Sequence, residues 1–274
     1  MKKLFKTAVA LAAIALVLPV ATASAQELIP KKGMRVYTTS PDTDNTDKIY
    51  DAKVFPGDYS CLEQAKAWSS ARLFDNNPQS ALKGRPSYAW CSVMDDNYTT
   101  AKKPNYGVTI ELSPDGKAYK LSKFQIWIPF ASKFSGQSVK TFSVYGTTDP
   151  DPINNKGLTL LNEDSTPYLE NWTLLLDNVE VYKPTKAKKD VNGDGKVDEE
   201  DDLQIFTDGW SYDIKGDFPA MRYIKVVMHT NWANKPTGFR MQEISVYHNG
   251  VGETKAVKAK VPKKFKSPKW SETL

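Results

Sequence analysis

The chain has 274 residues, 40% of them hydrophobic and 25% charged, a composition that supports a folded core and excludes an intrinsically disordered protein. Its net charge of +5 comes from the two ends, because residues 251–274 carry seven lysines against two glutamates and the first six residues carry three more lysines. The body between them is slightly acidic, which excludes a basic face for nucleic acid. The lysine-rich segment 251–274 is interpreted as a solvated extension, with contact to an acidic surface as the alternative.

The N-terminal residues have the pattern of a secretory signal peptide. Three lysines precede an apolar run over residues 8–20, and Ala23-Ser24-Ala25 then offers the small residues that a signal peptidase reads. Cleavage is expected after residue 25, and no cysteine follows the run to carry a lipid. We therefore expect a secreted or periplasmic protein, with no other stretch long and apolar enough to span a bilayer.

The body is predicted to be mainly β-structured. An extension over residues 26–60 holds one strand at 34–38, and a short helix is expected at 62–73. Six later runs then alternate apolar and polar residues with a period of two: 106–113, 121–130, 140–146, 171–182, 223–229 and 240–248. Such alternation, separated by Pro- and Gly-containing turns, is typical of an antiparallel sandwich with one buried face per sheet. The chain is thus predicted to divide into a signal peptide (1–25), an N-terminal extension (26–60), a sandwich (61–250) with an insertion at 184–209, and a lysine-rich tail (251–274).

The two cysteines, Cys61 and Cys91, are interpreted as a disulfide because the chain is predicted to enter an oxidising compartment. Closing a loop of this length would stabilise the fold by roughly 3–4 kcal/mol. No CxxC motif is present, so a redox enzyme is not supported.

The sharpest motif is the acidic loop over residues 190–201. Oxygen donors occupy every position at which a twelve-residue calcium loop supplies a ligand: Asp190, Asn192, Asp194, the Lys196 carbonyl, Asp198 and Asp201. Gly195 stands at the sharp turn, and Val197 is expected to anchor the loop to a neighbour. The alternative is a solvated acidic turn without an ion. The loop resembles the calcium loops of dockerins, which also carry Asp at the last position, but this chain has one such segment where a dockerin has two.

The order of five short motifs in the body resembles the discoidin, or coagulation-factor type C, family. The motifs are Leu73-Phe74-Asp75-Asn76-Asn77, residues 124–128, residues 140–149, residues 222–226 and Glu243-Ile244-Ser245-Val246-Tyr247. The variants most similar occur in exported glycan-utilisation proteins of gut anaerobes. The resemblance covers about residues 73–250 and implies an all-β, galactose-binding-like jelly-roll sandwich.

The resemblance further implies two kinds of site. A structural calcium would lie between the opening loop and the closing strand, on Asp75, Asn77 and Glu243, although Asp75 can equally serve as a turn residue. Ligands, often sugars, would bind loops at one end of the sandwich. The candidates by loop position are Trp172, Trp210, His229, Trp232 and Arg240, with packing in the core or at an edge as the alternative for each.

No catalytic motif stands out: the chain lacks GxSxG, HExxH and a Gly-rich phosphate loop. The first hypothesis is an exported, non-catalytic, calcium-binding carbohydrate-binding module. The second is a cell-envelope module that holds another exported protein and no sugar. A glycoside hydrolase, whose carboxylate pair the sequence does not single out, is the third and least favoured.

Overall fold

Alternating apolar residues build two packed sheets in the computed structural model, which describes residues 25–38, 53–56, 73–76, 90–91, 107–129, 135–149, 152 and 172–252. The strands within these ranges are β1 (Glu27–Leu28), β2 (Arg35–Thr38), β3 (Lys53–Pro56), β4 (Trp90–Cys91), β5 (Gly107–Glu111), β6 (Ala118–Trp127), β7 (Val139–Thr147), β8 (Thr173–Glu180), β9 (Trp210–Asp213), β10 (Tyr223–Asn231), β11 (Arg240–Met241) and β12 (Glu243–Gly252). The helices are α1 (Pro184–Ala187) and α2 (Glu199–Asp208), and Ser135–Gln137 forms a 3-10 turn.

The strands form a four-stranded sheet of order β1-β12-β6-β9 and a six-stranded sheet of order β3-β2-β5-β10-β7-β8, with β11 and β4 as a separate pair. Every pairing is antiparallel except β2 with β3. From β5 to β7 and from β8 to β10 the chain crosses between the two sheets at each strand, as in a jelly roll, whereas β2 with β3 and β7 with β8 are neighbours in the six-stranded sheet. The predicted all-β, antiparallel sandwich is therefore confirmed.

The main core lies between the two sheets and is made by the residues that alternate inward. Val108, Ile110, Phe142, Val144, Ile224 and Val226 come from the six-stranded sheet, and Phe124, Ile126, Ile244 and Val246 from the four-stranded sheet. Phe124 meets Phe142 across the interior with ring centroids 5.4 Å apart. Each fully buried side chain of this size contributes roughly 1.5–3 kcal/mol through its removal from water.

The N-terminal segment contributes strands to both sheets. β1 is an edge strand of the four-stranded sheet, where it pairs with β12, and β2 pairs with β5 in the six-stranded sheet, with β3 outside it at the edge. Between these strands, Ile29 and Met34 are buried in the core, so a segment expected to be a lead-in with a single strand belongs to the sandwich.

The insertion over residues 184–209 folds as two helices around the acidic loop and is fastened to the sandwich by two hydrogen bonds, and a third joins the residues that flank it. The indole N–H of Trp127 donates to Thr207 O at 3.1 Å, and the side-chain amide of Gln125 donates to Asp208 O at 2.8 Å. The indole of Trp210 donates to Tyr182 O at 2.6 Å. Gly209 has φ +75° and lies against the Trp127 ring, where a Cβ would come within 2.5 Å, so only glycine permits this close approach.

Some predictions fall outside the described residues. The helix expected at 62–73 lies almost entirely outside them, as do Cys61 and the side chain of Cys91. The disulfide stays a prediction for that reason. Within the described ranges, neither helix is long and apolar enough to cross a membrane.

Candidate ligand-binding site

The acidic loop takes a tightly turned form in which its carboxylates accept hydrogen bonds from its own backbone. Asp190 accepts from the N–H groups of Gly193 at 2.6 Å and Gly195 at 2.9 Å. Asp194 accepts from Lys196 N at 2.8 Å. Gly193 and Gly195 have φ values of +80° and +84°, a conformation that costs glycine little and other residues more. The backbone therefore follows the turn that the sequence predicts.

Asp201, the last position of the loop, connects its beginning to the helix that follows. Its fully buried carboxylate accepts from Val191 N at 2.7 Å, Asn192 N at 3.2 Å and Asp198 N at 2.9 Å. These bonds, the one from Val191 first, lower the pKa of Asp201 because they stabilise its charged form. Asp198 in turn accepts from Glu200 N and completes a capping box at the start of α2.

The residue types of the loop fit calcium. Each carboxylate oxygen has lone pairs beyond the one that a single N–H uses, and calcium takes six to eight oxygen ligands in flexible geometry. Among the described residues, no three acidic, histidine or cysteine side chains are already gathered into a metal site. Asp190, Asn192, Asp194 and Asp198 would hold the ion only after turning toward one point. Val197, expected to anchor the loop, is 43% exposed, so that expectation is wrong.

The predicted second calcium site is occupied by an ammonium group. Lys31 Nζ donates to Glu243 Oε1, and both side chains are buried. Burial, opposed by Lys31 and reinforced by the nearby Asp75 carboxyl, raises the pKa of Glu243 to about 8. Asp75 and Glu243 do come together as predicted, whereas Asn77 lies outside the described residues. With Lys31 on Glu243, this cluster does not fit a divalent cation.

Three of the five predicted ligand residues are buried. Trp210 is 2% exposed in strand β9 and packs edge-on against Phe206 at 5.0 Å, so the core alternative is correct and its assignment to a binding loop is wrong. Arg240 is 3% exposed, and its Nε donates to Gln137 Oε1 at 2.6 Å. Trp172 is 5% exposed and packs with Tyr37, Tyr223 and Val227 on the outer side of the six-stranded sheet. Because they are buried, the two indole rings and the Arg240 guanidinium group are not accessible for a soluble ligand to stack on.

His229 keeps part of its surface in solvent near the end of β10. Its Nε2 lies 2.8 Å from Ser143 Oγ, which also accepts from Asn178 N at 2.8 Å. Burial lowers the pKa of His229, and the nearby Asp177 carboxylate partly opposes that shift. The neutral imidazole, with these polar neighbours, is suited to hydrogen bonding with a hydroxyl group rather than to holding an anion.

Trp232 lies three residues further on, at the start of the loop over residues 231–238, and is also partly exposed. Asn231, which is 1% exposed, holds this loop from inside. Its amide nitrogen donates to Thr237 O at 2.9 Å, and its Oδ1 accepts from Ala233 N at 3.0 Å and Lys235 N at 2.9 Å. The loop is thus fixed before any ligand arrives, which lowers the entropy lost on binding.

The Trp232 loop is also fastened to the start of the neighbouring strand. Trp232 N donates to Ser138 O at 3.0 Å, and Ala233 N donates to Gly136 O at 2.7 Å. One part of the indole packs against the main core, and its buried Nε1 has no hydrogen-bond partner among the described residues. An unpaired buried donor costs about 1–3 kcal/mol.

Sequence patterns did not reveal the polar residues that surround Trp232. Lys140 and Lys183 each place Nζ 5.6 Å from the Trp232 ring centroid. Lys140 Nζ also donates to Asn234 Oδ1 at 3.0 Å. Their separation along the chain hides the cluster, since Lys140 and Asn234 are 94 positions apart. The only local sequence feature near this cluster is Asn234-Lys235-Pro236, which predicts a turn.

Comparison with known proteins gives a family and several distant structural likenesses. Residues 88–248 match DUF5000, described as a domain of unknown function. A SusE-like protein is similar over 82% of this chain and 67% of its own, with 18% identity and a TM-score of 0.49. The module CBM32-3 of a family 31 glycoside hydrolase from Clostridium perfringens is similar over 67% and 85%, with 15% identity and a TM-score of 0.38.

An F5/8 type C domain from Bacteroides fragilis is similar over 64% of this chain and 84% of its own, with 10% identity and a TM-score of 0.33. No curated protein matches the sequence. With TM-scores below 0.5, these likenesses assign no function to this chain.

Proposed function

We propose that this chain, which belongs to the DUF5000 family, is an exported, non-catalytic carbohydrate-binding protein whose ligand contacts the Trp232 loop. The observation that carries the proposal is the preorganised loop itself. A partly exposed indole stands at one end of the sandwich, on a backbone held by the buried Asn231 side chain. The resemblance to discoidin domains in the sequence predicts ligands at such an end.

The chemistry around Trp232 suits a sugar. A pyranose presents a C–H face that stacks on a flat aromatic ring, and hydroxyl groups that need donors and acceptors. Lys140, whose Nζ lies over the ring at 5.6 Å from its centroid, supplies a donor, and the Asn234 side chain, 3.0 Å from that Nζ, supplies an acceptor. His229, the other candidate that keeps solvent exposure, extends the polar surface along β10.

Calcium binding by the acidic loop forms part of the proposal. Six oxygen positions with the correct spacing and the observed turn support it, as do the three hydrogen bonds by which Asp201 holds the shape of the loop. Bound calcium would stabilise the insertion and not take part in any reaction.

A second candidate function, binding of another exported protein, is favoured by a different observation. Three large apolar side chains of the insertion are exposed: Val191 at 38%, Val197 at 43% and Leu203 at 48%. Apolar residues gathered on one exposed segment are common at protein interfaces. Such a partner would bind at the insertion and leave the Trp232 loop uninvolved.

Glycan binding can be tested on the chain from residue 26 to residue 274 with an array of plant, host and bacterial glycans. We expect saturable binding that Trp232→Ala abolishes. Tyr247→Ala is a matched control, because Tyr247 is also a partly exposed aromatic with a lysine near its ring, Lys123 at 3.8 Å, but lies on the four-stranded sheet. If folded protein binds no glycan, or if both variants bind like the wild type, the proposed function is wrong.

A further inference from the structure

Strand β1 follows directly on the expected signal-peptide cleavage site. Cleavage after residue 25 makes Gln26 the first residue of the exported chain, one position before β1 begins at Glu27. β1 is the edge strand of the four-stranded sheet, and its ladder with β12 starts at the pair of Glu27 and His248. The N-terminus of the exported chain therefore lies at a sheet edge, with a single residue in front of the strand.

Gln26 itself lies outside the sheet. The ladder between β1 and β12 ends at the pair of Glu27 and His248, and directly beyond this pair β12 shifts its register on β6, between His248 and Gly250. Gln26 is exposed, and an exposed side chain at a chain end keeps its rotamer freedom. Its side-chain amide can therefore turn back toward its own backbone nitrogen.

An N-terminal glutamine has an intramolecular reaction that most N-terminal residues lack. Its α-amino nitrogen attacks the side-chain amide carbon and forms a five-membered lactam. The bond from that carbon to the amide nitrogen breaks, and this nitrogen leaves as ammonia with the proton that the α-nitrogen gives up. We propose that Gln26 of the exported chain is modified in this way and carries a pyroglutamyl N-terminus without an ammonium charge. The proposal rests on the export that is part of the proposed function, and it is independent of glycan and calcium binding.

The lactam would protect a part of the fold that is open to trimming. Aminopeptidases act on a free α-amino group, which the lactam replaces. The side chain of Glu27 is 74% exposed and Leu28 is 47% exposed, so an unmodified terminus is accessible for removal residue by residue. Ile29 is fully buried, and its N–H donates to Val246 O at 2.9 Å. Trimming of the folded protein therefore removes β1, stops at Ile29 and leaves an unpaired edge on β12.

The intact mass of the exported protein tests the proposal. Residues 1–274 are expressed in a bacterial host, and the protein is recovered from the periplasm or the medium, reduced, and measured once its mass is constant. We expect the mass of residues 26–274 less one molecule of ammonia. Gln26→Asn is the matched control, because the shorter asparagine side chain would have to close a strained four-membered ring. This variant should be recovered at the full mass of its 26–274 chain.

Digestion with an aminopeptidase of broad specificity tests the consequence. We expect the wild type to keep its N-terminus. The Gln26→Asn variant should lose residues 26–28 and then melt about 2–8 °C lower, because the backbone hydrogen bonds of β1 are lost.

Each other outcome would contradict a defined part of this reasoning. A wild-type mass equal to that of the open chain 26–274 would overturn the inference and leave export in place. Recovery of the uncleaved chain, or of a chain that starts at another residue, would refute the cleavage on which the inference rests. Trimming of the wild type as fast as Gln26→Asn would overturn the protective role of the lactam.

Discussion

Removing the ammonium group of Lys31 tests the reasoning about the buried acidic cluster. The substitution Lys31→Met keeps an unbranched side chain of similar length, so the apolar stem of the lysine is replaced with little change in packing. It leaves the Glu243 and Asp75 carboxyls close together without the group that donates to Glu243. The perturbation is therefore electrostatic and is confined to one place.

The magnitude follows from burial. Lys31 and Glu243 side chains are 7% and 1% exposed. Because the pKa of Glu243 is raised to about 8, its carboxyl is mostly protonated at neutral pH, so removing Lys31 costs what a buried polar group loses with its partner, about 1–3 kcal/mol. For a chain of this size each kcal/mol lowers the melting temperature by about 2–4 °C. We therefore expect Lys31→Met to melt about 2–12 °C below the wild type at pH 7.

Thermal unfolding followed by circular dichroism measures this shift. The matched control is Lys117→Met, which breaks the exposed pair of Lys117 and Asp115, at 2.9 Å and with 56% and 53% exposure. Exposed pairs contribute little, so the control should melt near the wild-type temperature. The double variant Lys31→Met/Glu243→Gln should recover part of the loss, because it also removes the carboxyl left without its partner.

Equal melting of Lys31→Met and the wild type would refute the claim that the buried contact between Lys31 and Glu243 stabilises the fold. So would a calcium-dependent rise in melting temperature that Glu243→Gln removes from otherwise wild-type protein, because calcium would then occupy the position assigned to Lys31.

Four further results are expected. Calcium should raise the melting temperature of the wild type by binding the folded state, and Asp194→Ala should remove most of that rise; identical curves with calcium and with chelator would contradict the loop proposal. Trp210→Ala should destabilise the fold by about 3–5 kcal/mol in urea unfolding, which an exposed ligand contact would not do. Because burial lowers the pKa of His229 below 6.5, the free energy of unfolding should fall as the pH drops through 6.5 toward the folded-state pKa, and His229→Gln should flatten that region of the pH profile. Asn231→Ala should weaken glycan binding through a looser loop and cost about 1–3 kcal/mol of stability; unchanged affinity would show that the loop need not be preorganised.

The strands of the sandwich could be predicted because their pattern is local. Val108 and Ile110 of β5 and Leu112, which directly follows it, alternate along the chain and are all buried in the core. β10 shows the limit of the rule. Alternation predicts one exposed face, yet Tyr223, Lys225 and Val227 on the other face are buried as well. Alternation with a period of two does not indicate whether other residues cover the outer face of a sheet.

Short strands and long-range pairs could not be predicted. β1 has only two residues, and it forms a strand because it pairs with β12, more than two hundred positions away along the chain. Lys31 and Glu243 are 212 positions apart, and no local pattern marks either as half of a buried pair. The acidic loop is the opposite case, since the hydrogen bonds that Asp190, Asp194 and Asp201 accept all come from within its twelve residues. The aromatic candidates fall between these cases: the sequence offered Trp232 and Trp210 alike, and could not show that the first is partly exposed and the second buried.

The position of the N-terminal segment determines which residues are needed for a complete sandwich. The family match begins at residue 88 and ends at residue 248, whereas β1, β2 and Lys31 lie before it. A fragment cut to those limits would leave an open backbone edge on β12 and another on β5, the kind of surface on which chains stick together edge to edge. The segment that matches the family is therefore shorter than the sandwich. A gene fusion that transfers only residues 88–248 would produce a sandwich without β1, β2 and Lys31.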